Sequence, residues 1–109
     1  MPLRTRERVV APEAIVEKLA GGFAFTEGPT CDPDGNVLFT DQPNDRILKW
    51  STEGRLSTFL QPAGRANCMY FAPGGDLIAC ADEKTALWSI APDGRTTVLV
   101  DTYGSRALN

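Results

Sequence analysis

Four turn sequences that end in glycine recur along the chain at nearly constant intervals. They are DPDG, STEG, APGG and APDG, they end at Gly35, Gly54, Gly75 and Gly94, and they are spaced by 19, 21 and 19 residues. Glycine at the last position adopts a positive φ at little cost, and the proline found two places earlier in three of them has the φ that a turn requires. The spacing therefore predicts a series of tight β-hairpins.

Short runs rich in β-branched and aromatic residues lie between these turns. The runs are NVLFTD, RILKW, LSTFL, DLIACAD, TALWSI and TTVLV. Each has the length of one strand, and none shows the 3.6-residue period of a helix. Only PEAIVEKLAGG, residues 12–22, could be helical, and it could equally form an opening strand. The sequence therefore predicts an all-β fold.

The two halves of the chain align when one is shifted by 40 residues. Gly35 then coincides with Gly75 and Gly54 with Gly94, whereas Trp50 and Trp88 fall two places out of register, which we attribute to a small insertion. A repeat of two hairpins, or four strands, is typical of a β-propeller blade. We predict about two four-stranded blades of a larger, six-bladed propeller, of which this chain is a truncated part.

The repeat also divides the chain. We expect an N-terminal arm over residues 1–20, with the RTRER run solvated, followed by a partial propeller over residues 21–109. Within it, blade 1 covers about 27–62, blade 2 about 67–101, and residues 102–109 begin the next blade. Blade edges without a neighbour favour pairing with other chains, so we expect that the protein could self-associate through them.

Composition excludes several classes of partner. The net charge is −3 and the eleven basic residues are dispersed, so we expect no nucleic-acid surface. No apolar run is long enough to span a bilayer or to serve as a signal peptide, so we expect a cytoplasmic protein without a membrane partner. The three cysteines, Cys31, Cys68 and Cys80, have no pattern of a disulfide framework or metal clamp and are expected to be small, semi-buried thiols.

The 40-residue shift brings one pair of oxygen-bearing side chains into correspondence. Glu27 aligns with Asn67, and both lie where the chain enters the first strand of a blade. Because the innermost strands of a propeller surround its central channel, equivalent entry positions could place a ring of oxygen ligands around the axis. Histidine is absent, so calcium or magnesium is favoured over zinc.

Two segments resemble a known family. FAFTEGPTCDPDGNVLFTDQPNDRILKW is similar to the opening motif of the gluconolactonase family, which includes senescence marker protein and luciferin-regenerating enzyme. GRANCMYFAPGGDLIACAD resembles the second blade of that family, and the resemblance covers nearly all of Gly21 to Asn109. It implies a six-bladed propeller that carries a divalent metal, usually calcium with magnesium or zinc as alternatives, and that hydrolyses sugar lactones or related esters.

The resemblance also implies residue roles. The Glu of the Glu-Gly-Pro motif, Glu27, corresponds to a metal ligand, and Asn67 either lines the substrate pocket or caps the turn after Gly64. The other ligands and the catalytic base would lie downstream of Asn109, and Asn109 itself is not assigned as a ligand. The alternative is a non-catalytic propeller segment that acts as a binding or assembly module.

Several residues differ from the family pattern or could be mistaken for a site. Cys68 stands in place of the usual Gly and could crowd the channel or bring a thiol near the metal, and Thr40 replaces a frequent Ser. We interpret three acidic residues that follow strands as solvated in loops, the first of them also bonding neighbouring backbone amides; they are Asp41, Asp45 and Asp82. Trp50 and Trp88 are interpreted as packing between blades rather than stacking on sugar.

Overall fold

The computed structural model describes residues 9–107, so the predictions for Arg4–Arg8 and Asn109 lie outside the described part of the chain. Two four-stranded antiparallel sheets follow one another, in the orders β1-β2-β3-β4 and β5-β6-β7-β8. The first sheet comprises β1 (Thr26–Cys31), β2 (Val37–Asp41), β3 (Arg46–Trp50) and β4 (Leu56–Leu60). The second comprises β5 (Ala66–Phe71), β6 (Leu77–Ala81), β7 (Ala86–Ile90) and β8 (Thr96–Val100). The predicted all-β pair of blades is confirmed.

Smaller elements complete the described chain. Two short 3-10 helices, Gln42–Asn44 and Asp82–Lys84, connect the second and third strands of each sheet. After β8, the two-residue strands β9 (Thr102–Tyr103) and β10 (Arg106–Ala107) pair with each other in a sheet of their own.

The predicted turns connect the first strand to the second and the third to the fourth in each blade. The amide N–H groups of the four glycines donate to the carbonyl oxygens three residues earlier, over 2.8–3.0 Å. All four glycines have φ between +79° and +98°, the region in which a side chain would be strained. A type I turn followed by a glycine at positive φ is a common three-residue hairpin connection, so the turn prediction is confirmed.

The repeat is regular throughout. Every strand of the second sheet begins 40 residues after its counterpart, as in Thr26 and Ala66 or Arg46 and Ala86. The insertion proposed to explain the tryptophans is therefore wrong, because Trp50 corresponds in the fold to Ile90 rather than to Trp88. The two tryptophans occupy different places in their blades.

The hydrophobic core lies between the two sheets. The sheets are held together by a cluster of buried residues, in which Phe59, Leu60, Phe71 and Trp88 pack around Leu38, Ile47, Ala63, Ala66, Met69, Leu77, Ala79 and Ile90. Trp88 belongs to this cluster, which confirms its predicted packing between blades. Trp50 does not, since it lines a cavity on the other face of the first sheet with Leu19, Ala20, Phe23, Val37 and Phe39.

Residues 12–22 form neither the helix nor the strand considered for them. A turn at Pro12–Glu13 is followed by chain without regular secondary structure. The side chains of Ile15 and Val16 are 84% and 101% exposed, so no apolar face is buried that would stabilise a helix. Local apolar content alone was insufficient here because the side chains of Ile15 and Val16 remain in solvent.

Candidate functional site

The first strand of each sheet carries a β-bulge at or beside a predicted site residue. In β1 the register with β2 shifts between Glu27 and Thr30, and in β5 the register with β6 shifts between Ala66 and Cys68, on either side of Asn67. A bulge adds an unpaired residue and redirects side chains, and bulges are frequent beside functional sites. Glu27 still pairs with Thr40 and its bulge follows it, whereas Asn67 is the unpaired residue of its own bulge, so the two residues correspond in the repeat and each lies at or beside a bulge.

The two bulged strands lie side by side. A Cβ placed on Gly28 would come within 3.0 Å of the backbone oxygen of Asn67 and 3.4 Å of the Cα of Cys68. Gly28 also has φ +63°, so both its conformation and the space beside it require glycine. The glycine of the Glu-Gly-Pro motif thus lets the two innermost strands approach closely, and it brings the backbones at Glu27 and Asn67 together.

The backbone at Glu27 is held by a buried hydroxyl. Thr40, which is fully buried on β2, donates from Oγ1 to the carbonyl oxygen of Glu27 over 3.1 Å. A serine hydroxyl could make the same bond, so the replacement of serine by Thr40 keeps the chemistry of this position. The side chain of Glu27 is half-buried and borders a cavity of about 230 Å³ with Thr26, Pro29, Val37 and Phe39.

Asn67 borders a different cavity. It lies at the edge of a space of about 220 Å³ that is lined by Asn67, Cys80, Ala81, Asp82, Thr85, Ala86 and Leu87. Neighbouring strands therefore carry Glu27 and Asn67, but their side chains border separate cavities. A further cavity of about 250 Å³ opens between the sheets near the hairpin turns and includes neither residue; its walls include Asp32, Lys49, Phe59 and Phe71.

Asp41 is a buried anchor rather than a solvated loop residue. It has no exposed surface, and its Oδ1 accepts hydrogen bonds from the backbone N–H groups of Ala24 and Phe25 over 3.0 and 3.1 Å. Its Oδ2 accepts from Asn44 Nδ2 and from two nitrogens of Arg46. Loop solvation is therefore wrong for Asp41, while its predicted bonding to backbone amides is correct, although those amides lie 16 and 17 residues away.

The environment of Asp41 keeps its carboxylate ionised. Burial by itself raises the pKa, but hydrogen bonds from Asn44, Phe25, Arg46 and Ala24 outweigh it and lower the pKa from 3.8 to about 2. The counterpart in the second sheet is Ala81, opposite Ala86, so the anchor exists only in the first blade. The signal was available in the sequence, since Asp41 and Arg46 begin and end a short hairpin connection.

Asp45 and Asp82 differ in their environments. Asp45 Oδ1 accepts hydrogen bonds from the backbone N–H groups of Ala63 and Arg65, over 3.0 and 2.7 Å, and thereby fixes the chain that passes from the first sheet to the second. Simple solvation is therefore wrong for Asp45. Asp82 is exposed, as expected of a solvated residue, and accepts one hydrogen bond from Gln42 Nε2 over 3.3 Å.

The cysteines are more accessible than expected. Cys31, Cys68 and Cys80 are all exposed free thiols, so the prediction of semi-buried side chains is wrong. Cys68 lies directly opposite Cys80 in the register of β5 and β6. Burial raises the pKa of the Cys80 thiol, and the neighbouring Cys68 raises it further.

The described residues contain few of the groups that a metal needs. Among residues 9–107 there is no group of three or more His, Cys, Asp or Glu side chains able to hold an ion. A carboxylate at Glu27 and an amide at Asn67 are hard oxygen donors that suit calcium, but calcium takes about six to eight oxygens. These two residues fit part of such a site and do not complete it.

Among residues 9–107, no helix is long and apolar enough to cross a membrane.

Comparison with known proteins shows the family to which the chain belongs. The sequence model of the SMP-30/Gluconolactonase/LRE-like region matches residues 25–109, which include both sheets and both bulges. The chain belongs to this family. The gluconolactonase of Zymomonas mobilis subsp. mobilis is 28% identical over an alignment that covers 86% of this chain and 31% of that protein.

Solved structures of the family have the same fold. One X-ray structure described as a gluconolactonase superposes with a TM-score of 0.87 and 30% identity, covering 96% of this chain and 37% of that one. A gluconolactonase of Xanthomonas campestris superposes with a TM-score of 0.79 and 23% identity, covering 84% and 31%. The chain thus spans about a third of the length of these SMP-30/Gluconolactonase/LRE-like relatives.

Proposed function

We propose that this chain is part of a metal-dependent hydrolase of sugar lactones, in which Glu27 is a metal ligand and Asn67 borders the substrate. The observation that carries the proposal is the close approach of the two innermost strands, which carry a carboxylate and an amide at corresponding positions of the repeat, each at or beside a bulge. Membership of a family that includes gluconolactonases supports the substrate class. The metal would be calcium, with magnesium or zinc as alternatives.

The chain's own residues would orient the site rather than complete it. The hydroxyl of Thr40 holds the Glu27 carbonyl, and the close approach at Gly28 fixes the strand of Asn67 against it. A bound divalent ion would polarise the lactone carbonyl for attack by water. The amide of Asn67 can donate to or accept from a sugar hydroxyl. The base that receives the proton of water would lie outside these residues.

A paired measurement tests this function. Acid release from δ-gluconolactone should be followed in a pH-stat with the longest form of the protein that can be expressed, before and after chelation and with calcium restored. The expected result is loss of activity on chelation, and loss of calcium binding by calorimetry in Glu27→Gln. Glu53→Gln is the matched control, because Glu53 is exposed in a turn of the same blade. Unchanged calcium affinity in Glu27→Gln would show that Glu27 is not a ligand.

The second candidate is a non-catalytic assembly module. It is favoured by β8, which pairs with β7 on one side and exposes every residue from Thr96 to Val100. Three of these residues are large and apolar: Val98, Leu99 and Val100 are 54%, 48% and 42% exposed. A strand edge of this kind is able to pair with another chain. Calcium-independent self-association without lactone hydrolysis would favour this alternative.

A further inference from the structure

Two cysteines occupy directly opposite positions on neighbouring strands of the second sheet. Cys68 on β5 pairs with Cys80 on β6, one residue pair beyond Met69 and Ala79. Ala79 is fully buried against the first sheet, whereas Cys68 and Cys80 are exposed. Since side chains alternate between the faces of a sheet, both thiols lie on the face that points away from the first blade.

The separation of such a pair suits a covalent bond between the sulfurs. Directly opposite residues in an antiparallel sheet have Cα atoms about 4.5–5.5 Å apart. Disulfides join residues whose Cα atoms are about 4.4–6.8 Å apart. Because Cys68 and Cys80 are direct partners in the register of β5 and β6, their backbone separation falls within the range that a disulfide spans.

The pair is particular to the second sheet. The residues that correspond to Cys68 and Cys80 in the first sheet are Gly28 and Thr40, neither of which can form such a bond. Cys31, the remaining thiol, lies opposite Val37 on β2 and has no cysteine across from it. The chain therefore contains one pair of opposed cysteines and one unpaired cysteine, and the reactivity of Cys31 can be compared with that of the pair.

We propose that Cys68 and Cys80 form a paired-thiol site that reacts with low-molecular-weight disulfides and closes into a reversible cross-strand disulfide. The site takes small, accessible disulfides as its oxidants, and the modified strand is the one that carries Asn67. Closure ties β5 to β6 beside the bulge between Ala66 and Cys68. The proposal does not depend on the hydrolase function.

The reaction proceeds by two exchanges. The Cys68 thiolate attacks one sulfur of the small disulfide, forms a mixed disulfide and releases the first small thiolate. Cys80 then loses its proton and attacks Sγ of Cys68, which forms the protein disulfide and releases the second small thiol. Two protein thiols are oxidised and one small disulfide is reduced to two thiols. Either thiol can make the first attack with the same products, because the two cysteines lie directly opposite each other.

The test uses the folded 109-residue chain and oxidised glutathione as the probe. Intact mass, free-thiol titration and non-reducing peptide mapping follow the products. The wild type is expected to lose the thiols of Cys68 and Cys80 and to contain the peptide that joins them, without retained glutathione on either. Cys68→Ser and Cys80→Ser are each expected to stop at a stable mixed disulfide on the remaining cysteine, and reduction should restore every thiol.

Cys31→Ser is the matched control, because it removes an exposed thiol from the other sheet and should leave closure unchanged. Far-UV circular dichroism establishes that each serine variant remains folded. The proposal is overturned if the folded wild type retains glutathione on Cys68 and Cys80 as the single variants do. It is equally overturned if Cys31 joins either cysteine, within or between chains, as readily as they join each other.

Discussion

The carboxylate of Asp41 and the guanidinium of Arg46 form an ion pair across the connection between β2 and β3, with Asp41 Oδ2 and Arg46 Nη2 separated by 2.8 Å. Arg46 also donates to the carbonyl of Gly22 and lies over the ring of Phe23, 5.8 Å from its centre. Phe23 in turn meets Phe39 edge to face, with ring centres 5.3 Å apart. The Asp41–Arg46 ion pair therefore holds the segment before β1 against the sheet that carries Glu27.

Loss of the Asp41 charge should destabilise the first blade. Asp41→Asn replaces a buried acceptor of several hydrogen bonds by an amide and leaves Arg46 without its anion, at an expected cost of about 2–4 kcal/mol in the free energy of unfolding. Urea denaturation monitored by circular dichroism measures the change. Asp82→Asn is the control, since exposed Asp82 should tolerate the change within about 0.5 kcal/mol. Equal stability of the two variants would contradict the anchoring role of Asp41.

Asp41 also predicts sensitivity to acid. Its folded pKa is about 2 against 3.8 for the ordinary group, so the lowered value stabilises the fold fully above pH 3.8. That stabilisation, about 2 kcal/mol, should be lost progressively as the pH falls through 3.8 towards 2. Unfolding measured at several pH values should show a smaller loss in Asp41→Asn. A loss of the same size in that variant would assign the acid sensitivity to other carboxylates.

The contact between innermost strands should depend on Gly28. In Gly28→Ala the new Cβ would press on the backbone of Asn67 at 3.0 Å in a conformation with φ +63°. We expect a loss of about 1–3 kcal/mol in unfolding free energy. Gly74→Ala is the matched control because nothing lies within 4 Å of its Cβ position. Thermal denaturation of both variants measures the loss of stability. Similar melting temperatures would contradict the close approach of β1 and β5 at Gly28.

The linker between the sheets should be equally intolerant of a side chain at Gly64. A Cβ there would come within 2.5 Å of the indole ring of Trp88, and the backbone has φ +62°. Gly64→Ala should displace this ring from the core and lower the unfolding free energy by about 2 kcal/mol. Fluorescence of Trp88 in a Trp50→Phe background reports the displacement as a change in emission maximum. Unchanged emission and stability would show that the linker packs elsewhere.

Self-association through β8 should be sensitive to a single charge. Leu99→Lys places a cation on the exposed edge strand and should reduce any concentration-dependent association seen by sedimentation velocity. Thr52→Lys adds the same charge in an exposed turn of the first blade and should leave the association unchanged. An equal effect of both variants would attribute the association to net charge rather than to the strand edge.

Much of the fold could be predicted because its signals are local. Glycine at the last turn position and the β-branched runs between turns depend on conformational preferences of single residues, so strands such as Arg46–Trp50 and Leu56–Leu60 were predicted with their observed bounds. The same reasoning failed for residues 12–22, where apolar content suggested structure but the side chains of Ile15 and Val16 are exposed. The alignment of Glu27 with Asn67 followed from the repeat alone, and their roles remain predictions.

By itself, the sequence determined the order, length and pairing of the strands, because turn chemistry and alternation act between close neighbours in the chain. Only the tertiary structure decided which polar groups are buried and which thiols meet. Asp41 is held by backbone amides 16 and 17 residues away, and Cys68 lies opposite Cys80 on the neighbouring strand. Such contacts arise from sheet register and from the docking of one blade on another, so no local pattern specifies them.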